Sequence, residues 1–236
     1  MTRFRNFALG LALAALFAAP AAPQEKPATV LLIGANGMIG SRILAEAAGR
    51  GHPVLAASRQ PEKIATGANI RTLKLDATDT ASVAAAARQA DVVVLATSPR
   101  GGGDPLQEEK AVAGSVMAAA RAAGKRLVVV GGAGSLSFPD GRPVLDTLPP
   151  ALRNGESLAL RNVLDALKAS DLDWTFICPP MSIAPGTRTG RYRTGSSVLL
   201  SDAAGASRIS AEDFAAALVD ELEKPAHRRG QMTAAY

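Results

Sequence analysis

Gly34, Gly37 and Gly40 follow the short apolar run Thr29–Ile33 and open a segment of helical spacing, in the stretch VLLIGANGMIGSRILAEAAGR. A strand that bends straight into a helix needs a residue without Cβ at the bend. A diphosphate that rests on backbone N–H groups needs the same bareness, and so does a helix that packs closely on the strand. The start of the helix adds partial positive charge. The chemistry expected of this spacing is dinucleotide binding, with packing alone as the alternative use of the three glycines.

The end of the second apolar run bears on which dinucleotide. A carboxylate there would accept hydrogen bonds from the adenosine ribose and favour NAD. The chain instead carries Ser58 and Arg59, with Lys63 one turn on. An arginine pairs with a 2′-phosphate, so NADP is expected over NAD, against the alternative that Arg59 is a solvated surface residue. Asp76, in LKLDATD, stands where an acid meets the adenine amino group or, alternatively, caps a turn.

Groups able to move protons or attack a substrate are few. There is one cysteine, Cys178, so no intrachain disulfide forms. The two histidines are far apart, His52 before a strand and His227 in a loop, and both are expected to be structural. No metal-ligand spacing and no GxSxG elbow occur, which argues against a metal enzyme and a hydrolase. Ser135 in GGAGSL and Tyr192 in GRYRTG remain as candidate catalytic residues. Ser135 would hydrogen-bond a substrate carbonyl or, alternatively, cap its loop. Tyr192, with Arg191 and Arg193, would close over a planar or anionic substrate or, alternatively, sit in a solvated hairpin.

The elements that must position these residues alternate along the chain. Thr29–Ile33, Val54–Ala57, Arg71–Leu75, Val92–Ala96, Leu127–Val130 and Thr175–Cys178 are expected as strands; 38–49, 80–89, 105–123 and 153–169 as helices, with a weaker turn over 61–65. Such alternation predicts an α/β, Rossmann-type, doubly wound parallel sheet with helices on both faces. Residues 181 to 209, rich in glycine and arginine, are expected to form a small lid or hairpin. Ser210 and Asp213 stand in capping-box spacing before a helix that stops at Pro225, and GQMTAAY is expected to add a last strand.

Residues 29–236 are therefore expected to form one nucleotide-binding domain, large enough at this length for a single core. Ahead of it, Arg3 and Arg5, an apolar stretch and Ala19-Pro20-Ala21 have the order of a secretory signal peptide over 1–22, with 23–28 as a linker. The expected location is outside the cytoplasm, in the periplasm, with no stable membrane anchoring after cleavage. An uncleaved anchor is the alternative, and a cytoplasmic protein results if the signal is not used. The net charge is +5, and scattered rather than clustered, which argues against nucleic acid as a partner. The sequence leaves the oligomeric state undetermined.

LLIGANGMIG, LDATD, VVVGGAGSL, DLDWTFICPP, APGTRTGRYR and ISAEDFAAALVDELEKP resemble the NAD(P)-binding, NmrA-like branch of the atypical short-chain dehydrogenase/reductase superfamily, which includes flavin- and biliverdin-reductase-like proteins. The likeness runs from residue 29 to 236. It implies that Gly34, Asn36, Gly37, Met38 and Ile39 line the pyrophosphate, Arg59 the 2′-phosphate, Asp76 and Ala77 the adenine, with Gly40 completing the cofactor-binding loop. Thr97 and Ser98 would border the nicotinamide ribose, and Pro179, Pro180, Met181 and Ser182 the nicotinamide. Many relatives add a YxxxK proton relay on the helix after the fifth strand, but LRNGESLALRNVLDALK contains no tyrosine. The expected activity is NADPH-dependent reduction of a flavin, quinone or similar planar small molecule by positioning alone. A non-catalytic NADP-binding sensor is the alternative.

Overall fold

A computed structural model describes residues 26–99 and 102–236. The expected signal segment and residues 23–25 of the linker lie outside the described residues. The chain runs β1 (Val30–Ile33), α1 (Met38–Gly49), β2 (Val54–Ser58), β3 (Ile70–Lys74), α2 (Thr80–Ala87), β4 (Val92–Leu95), α3 (Pro105–Ala123) and β5 (Arg126–Val130). It continues through α4 (Pro150–Arg153), α5 (Glu156–Lys168), β6 (Trp174–Cys178), β7 (Ser182–Ala184), β8 (Arg193–Gly195), β9 (Arg208–Ser210), α6 (Ala211–Glu223) and β10 (Gly230–Ala235).

The main sheet has the order β3-β2-β1-β4-β5-β6-β10-β8. All its pairings are parallel except β10 with β8. The chain reverses direction across the sheet between β1 and β4, and the loops leaving those neighbours part to open a crevice at their carboxyl ends. Side chains alternate along each strand, so Leu31 and Ile33 face one core and Val30 and Leu32 the other. The first core lies under α2, α3 and α5, which pack on one another; the second lies under α1 and α6. Strands covered on both faces must be apolar throughout, hence VLLI and VVVL.

Two expectations need correction. The single helix over 153–169 is divided into α4 and α5, because Pro150 starts a short turn and Gly155, at φ −107° and ψ −123°, leaves helical geometry before Glu156. The segment 181–209 is not a hairpin. β7 pairs with β9 in parallel, which a tight turn cannot connect, while β8 joins the main sheet antiparallel to β10.

Half of the expected capping box at α6 forms: Asp213 N donates to Ser210 Oγ at 3.0 Å. The Asp213 carboxylate does not reach back to Ser210 N. It accepts from Thr189 N, Thr189 Oγ1, Gly190 N and the Tyr236 hydroxyl, tying the 185–195 loop to the helix start. Among the described residues no helix is long and apolar enough to cross a membrane.

Candidate functional site

The crevice at the carboxyl ends of β1 and β4 has a volume of about 870 Å³, within the roughly 300–1,000 Å³ common for cofactor and substrate sites. Its floor is the bend from β1 into α1. Gly34 takes φ +91°, and a Cβ there would stand 2.5 Å from the Ala96 carbonyl oxygen of the neighbouring β4 loop. Only glycine meets both conditions. Gly37 precedes α1 as its N-cap, and no side chain caps the helix. The first-turn N–H groups of a helix have no intrahelical partner, so this end is a ready anion site.

Gly34, Asn36, Gly37, Met38 and Ile39 all line the crevice. Gly40 does not. A Cβ there would fall 2.1 Å from the Gly34 carbonyl oxygen, so its role is to let α1 lie against the bend.

One arm of the crevice passes β2 and β3, lined by Ser58, Arg59, Asp76, Ala77 and Thr78. The Ser58 hydroxyl accepts from Gln60 N at 3.1 Å and shapes the turn that carries Arg59. Asp76 accepts from both the N–H and the hydroxyl of Thr78, at 2.9 and 2.8 Å. These two bonds, the backbone one first, hold its carboxyl below the usual range, so it presents a full negative charge beside Arg59. Asp76 thus caps its turn, one of the two uses expected of it, while lining the crevice. Lys63 is exposed on the 3-10 turn Pro61–Lys63 and does not line the crevice.

The other arm runs toward β5 and β6, past Thr97, Ser98, Gly131, Gly132 and Pro179, and is walled by α3 and the start of α5. Thr97 Oγ1 is buried there with no hydrogen-bond partner. Of the segment after β6, Pro179 and Ile183 reach the crevice. Pro180, Met181 and Ser182 do not, because the chain turns away to pair β7 with β9.

Neither candidate catalytic residue meets the crevice. Ser135 is buried in the 3-10 turn Ala133–Ser135 with its hydroxyl unpartnered, and is not among the lining residues. The Tyr192 hydroxyl donates to Asp220, near the end of α6 and of α1, at the opposite end of the sheet. Burial, and then the hydrogen bond to Asp220, push its pKa well above the ordinary phenol range. His52 is buried between Ala28 O and Glu223, and His227 faces Glu221.

The sequence reading passed over Glu109. It lies on α3, 2 % exposed, lining the crevice, with Oε1 unpartnered. Burial, and then the charges of Glu156 and Glu108, push its pKa up to about 7. A signal was present: Glu109, Ala113, Val116 and Ala120 are spaced as one buried helix stripe.

An uncapped helix start, a bend stripped of side chains and an orphaned hydroxyl along one continuous cleft fit a nicotinamide dinucleotide. Fold and site together define a dinucleotide-binding α/β protein. A family described as NAD(P)H-binding matches residues 34–225, and the chain belongs to it. The Bacillus subtilis (strain 168) protein YwnB, itself uncharacterized, is 35% identical over 212 residues, covering 86% of this chain and 95% of its own. A crystal structure of a candidate exported protein from Burkholderia pseudomallei is 46% identical, with TM-score 0.80, over 89% of this chain and 100% of that one. A candidate NADH-flavin reductase from Streptococcus pneumoniae is 28% identical, with TM-score 0.75, over 88% and 99%.

Proposed function

We propose that the chain is an NADPH-dependent reductase of a flavin, quinone or similar planar small molecule, working without a YxxxK relay. The observation that carries this is the continuity of the crevice. It runs from Arg59 past the uncapped start of α1 to Thr97, Gly131 and Pro179, beyond which space is left beside α3 and α5. In this reading Arg59 pairs with the 2′-phosphate, the α1 amides hold the pyrophosphate, Asp76 and Ala77 border the adenine, and Thr97 and Ser98 the nicotinamide ribose. The bound cofactor supplies a hydride. The chain's own residues orient it against the acceptor and exclude water. The likeness to the candidate NADH-flavin reductase supports the acceptor class.

Purified chain supplied with NADPH and a panel of riboflavin, a quinone and biliverdin tests the reading. Oxidation of the cofactor, abolished by Gly37→Val, is the expected result; binding without turnover across the panel overturns it. A second reading, a non-catalytic NADP-binding sensor, is favoured by one observation: the Tyr192 hydroxyl is held on Asp220, and α5 carries no tyrosine in its place. Tight NADP binding without turnover is its signature.

We also propose export to the periplasm by the segment 1–22, with no anchoring afterward, supported by the likeness to the candidate exported protein. Fractionation with sequencing of the mature N-terminus tests this, and an intact N-terminus on cytoplasmic protein contradicts it.

A further inference from the structure

Glu109 occupies a core-facing position on α3 among alanines and a valine, where a carboxylate gains no hydrogen bond at Oε1. An unpaired buried charge is costly, and a group so placed neutralises instead. The position is also functional ground. Glu109 lines the same crevice as Thr97, Gly131 and Pro179, together with Glu156 and Ser157 at the start of α5.

We infer that Glu109 is a neutral carboxylic acid that donates the proton accompanying hydride transfer to the acceptor. This rests on the reductase reading. The acceptor gains two electrons and a hydrogen as hydride from the dihydronicotinamide, which is oxidised. The Glu109 O–H bond breaks as an O–H or N–H bond forms on the acceptor, and the remaining carboxylate takes a proton back from water. The favoured substrates are those whose reduced form must be protonated on a heteroatom, such as quinones and conjugated carbonyls.

Among the described residues, the charged groups acting on Glu109 are Glu156 from α5 and Glu108 beside it on α3. α2, packed on α3, has no ionisable residue in its span, and Arg126 at the start of β5 is turned to Glu221. Both carboxylates raise the pKa that burial has already lifted to about 7, which suits an acid working near neutral pH.

The test compares wild type with Glu109→Gln, using NADPH and a soluble benzoquinone across roughly pH 5–9. Wild-type kcat is expected to fall as pH rises above about 7. Glu109→Gln should lose that limb and roughly 10²–10⁴-fold in kcat, the range a positioned acid supplies. Its NADPH affinity by calorimetry should be unchanged. Glu109→Asp, which retains an acid, should keep the limb with a lower kcat. Carboxyl-carbon NMR of ligand-free protein should show one glutamate titrating near pH 7, missing from Glu109→Gln. A wild type that turns over while Glu109→Gln matches its kcat and pH profile overturns this inference alone. So does a wild type with no glutamate titrating near neutrality. A wild type that binds NADPH and reduces nothing overturns the reductase reading, and this inference with it.

Discussion

Gly40 lies so close to Gly34 that a Cβ on it would stand 2.1 Å from the Gly34 carbonyl oxygen. Gly37, between them in the chain, is different: its Cβ would be 3.3 Å from the same oxygen, and its φ of −72° suits any residue. One glycine serves packing, while the other opens onto the crevice. Gly40→Ala is therefore expected to destabilise the fold by about 1–3 kcal/mol, the usual range for overpacking. Gly37→Val should largely keep the melting temperature and lose NADPH binding, since its side chain would stand in the crevice. Thermal melts and calorimetry on both variants separate the two roles. Equal loss of stability would contradict the division.

Arg59 lines the arm of the crevice that passes β2 and β3, beside the charged Asp76. A charge-assisted hydrogen bond to a phosphate contributes about 1.5–3 kcal/mol. Arg59→Ala should therefore weaken NADPH roughly 10–100-fold while leaving NADH nearly unchanged. Titration with both cofactors checks this. Parallel losses for the two would show that Arg59 does not read the 2′-phosphate.

Glu109 also has a consequence for stability that needs no substrate. Its folded pKa, about 7, lies above the ordinary glutamate value of 4.5. The folded state therefore holds the proton more tightly than the unfolded chain, and stability declines as pH rises from 4.5 through about 7. At 1.36 kcal/mol per unit, that decline is on the order of 3 kcal/mol. Denaturant melts of Glu109→Gln should lack this part of the pH dependence. If both proteins show the same slope, the buried acid is not titrating there.

Under α6, Arg126 and Glu221 meet at 2.7 Å with their side chains 9% and 2% exposed. Glu221 also accepts from Ala226 N, His227 N and the His227 ring. Removing the carboxylate leaves a buried guanidinium and two loop amides without it. Glu221→Ala should cost about 3–5 kcal/mol, with Glu221→Gln costing less because an acceptor remains. Since the pair lies away from the crevice-lining residues, calorimetry should find NADPH affinity retained wherever the variants are folded.

The parallel strands were readable because burial on both faces demands short unbroken apolar runs, and β1, β2, β4, β5 and β6 each fall within about one residue of the expected span. The edge strand β3, exposed over much of its length, was still marked by its turn signals. Local spacing failed where partners are remote. Nothing in GTRTGRYRTG shows that β8 pairs with β10, or that the Tyr192 hydroxyl goes to Asp220. Glu109 was passed over for a related reason. A glutamate on an Ala-rich helix is ordinarily solvated, and its membership in the buried stripe carries weight only once α5 is known to close over it.

By itself, the sequence determined the alternation of strand and helix, the bare bend at Gly34–Gly37 and the cation that follows β2. Each of these is a local property, set by Cβ sterics, side-chain period and the few residues nearest in the chain. The tertiary structure alone decided that Ser135 and Tyr192 lie off the crevice, and that Glu109 lies on it. Those outcomes depend on which surfaces meet, and burial, which sets both the cost of a charge and the reach of a side chain, exists only after they have met.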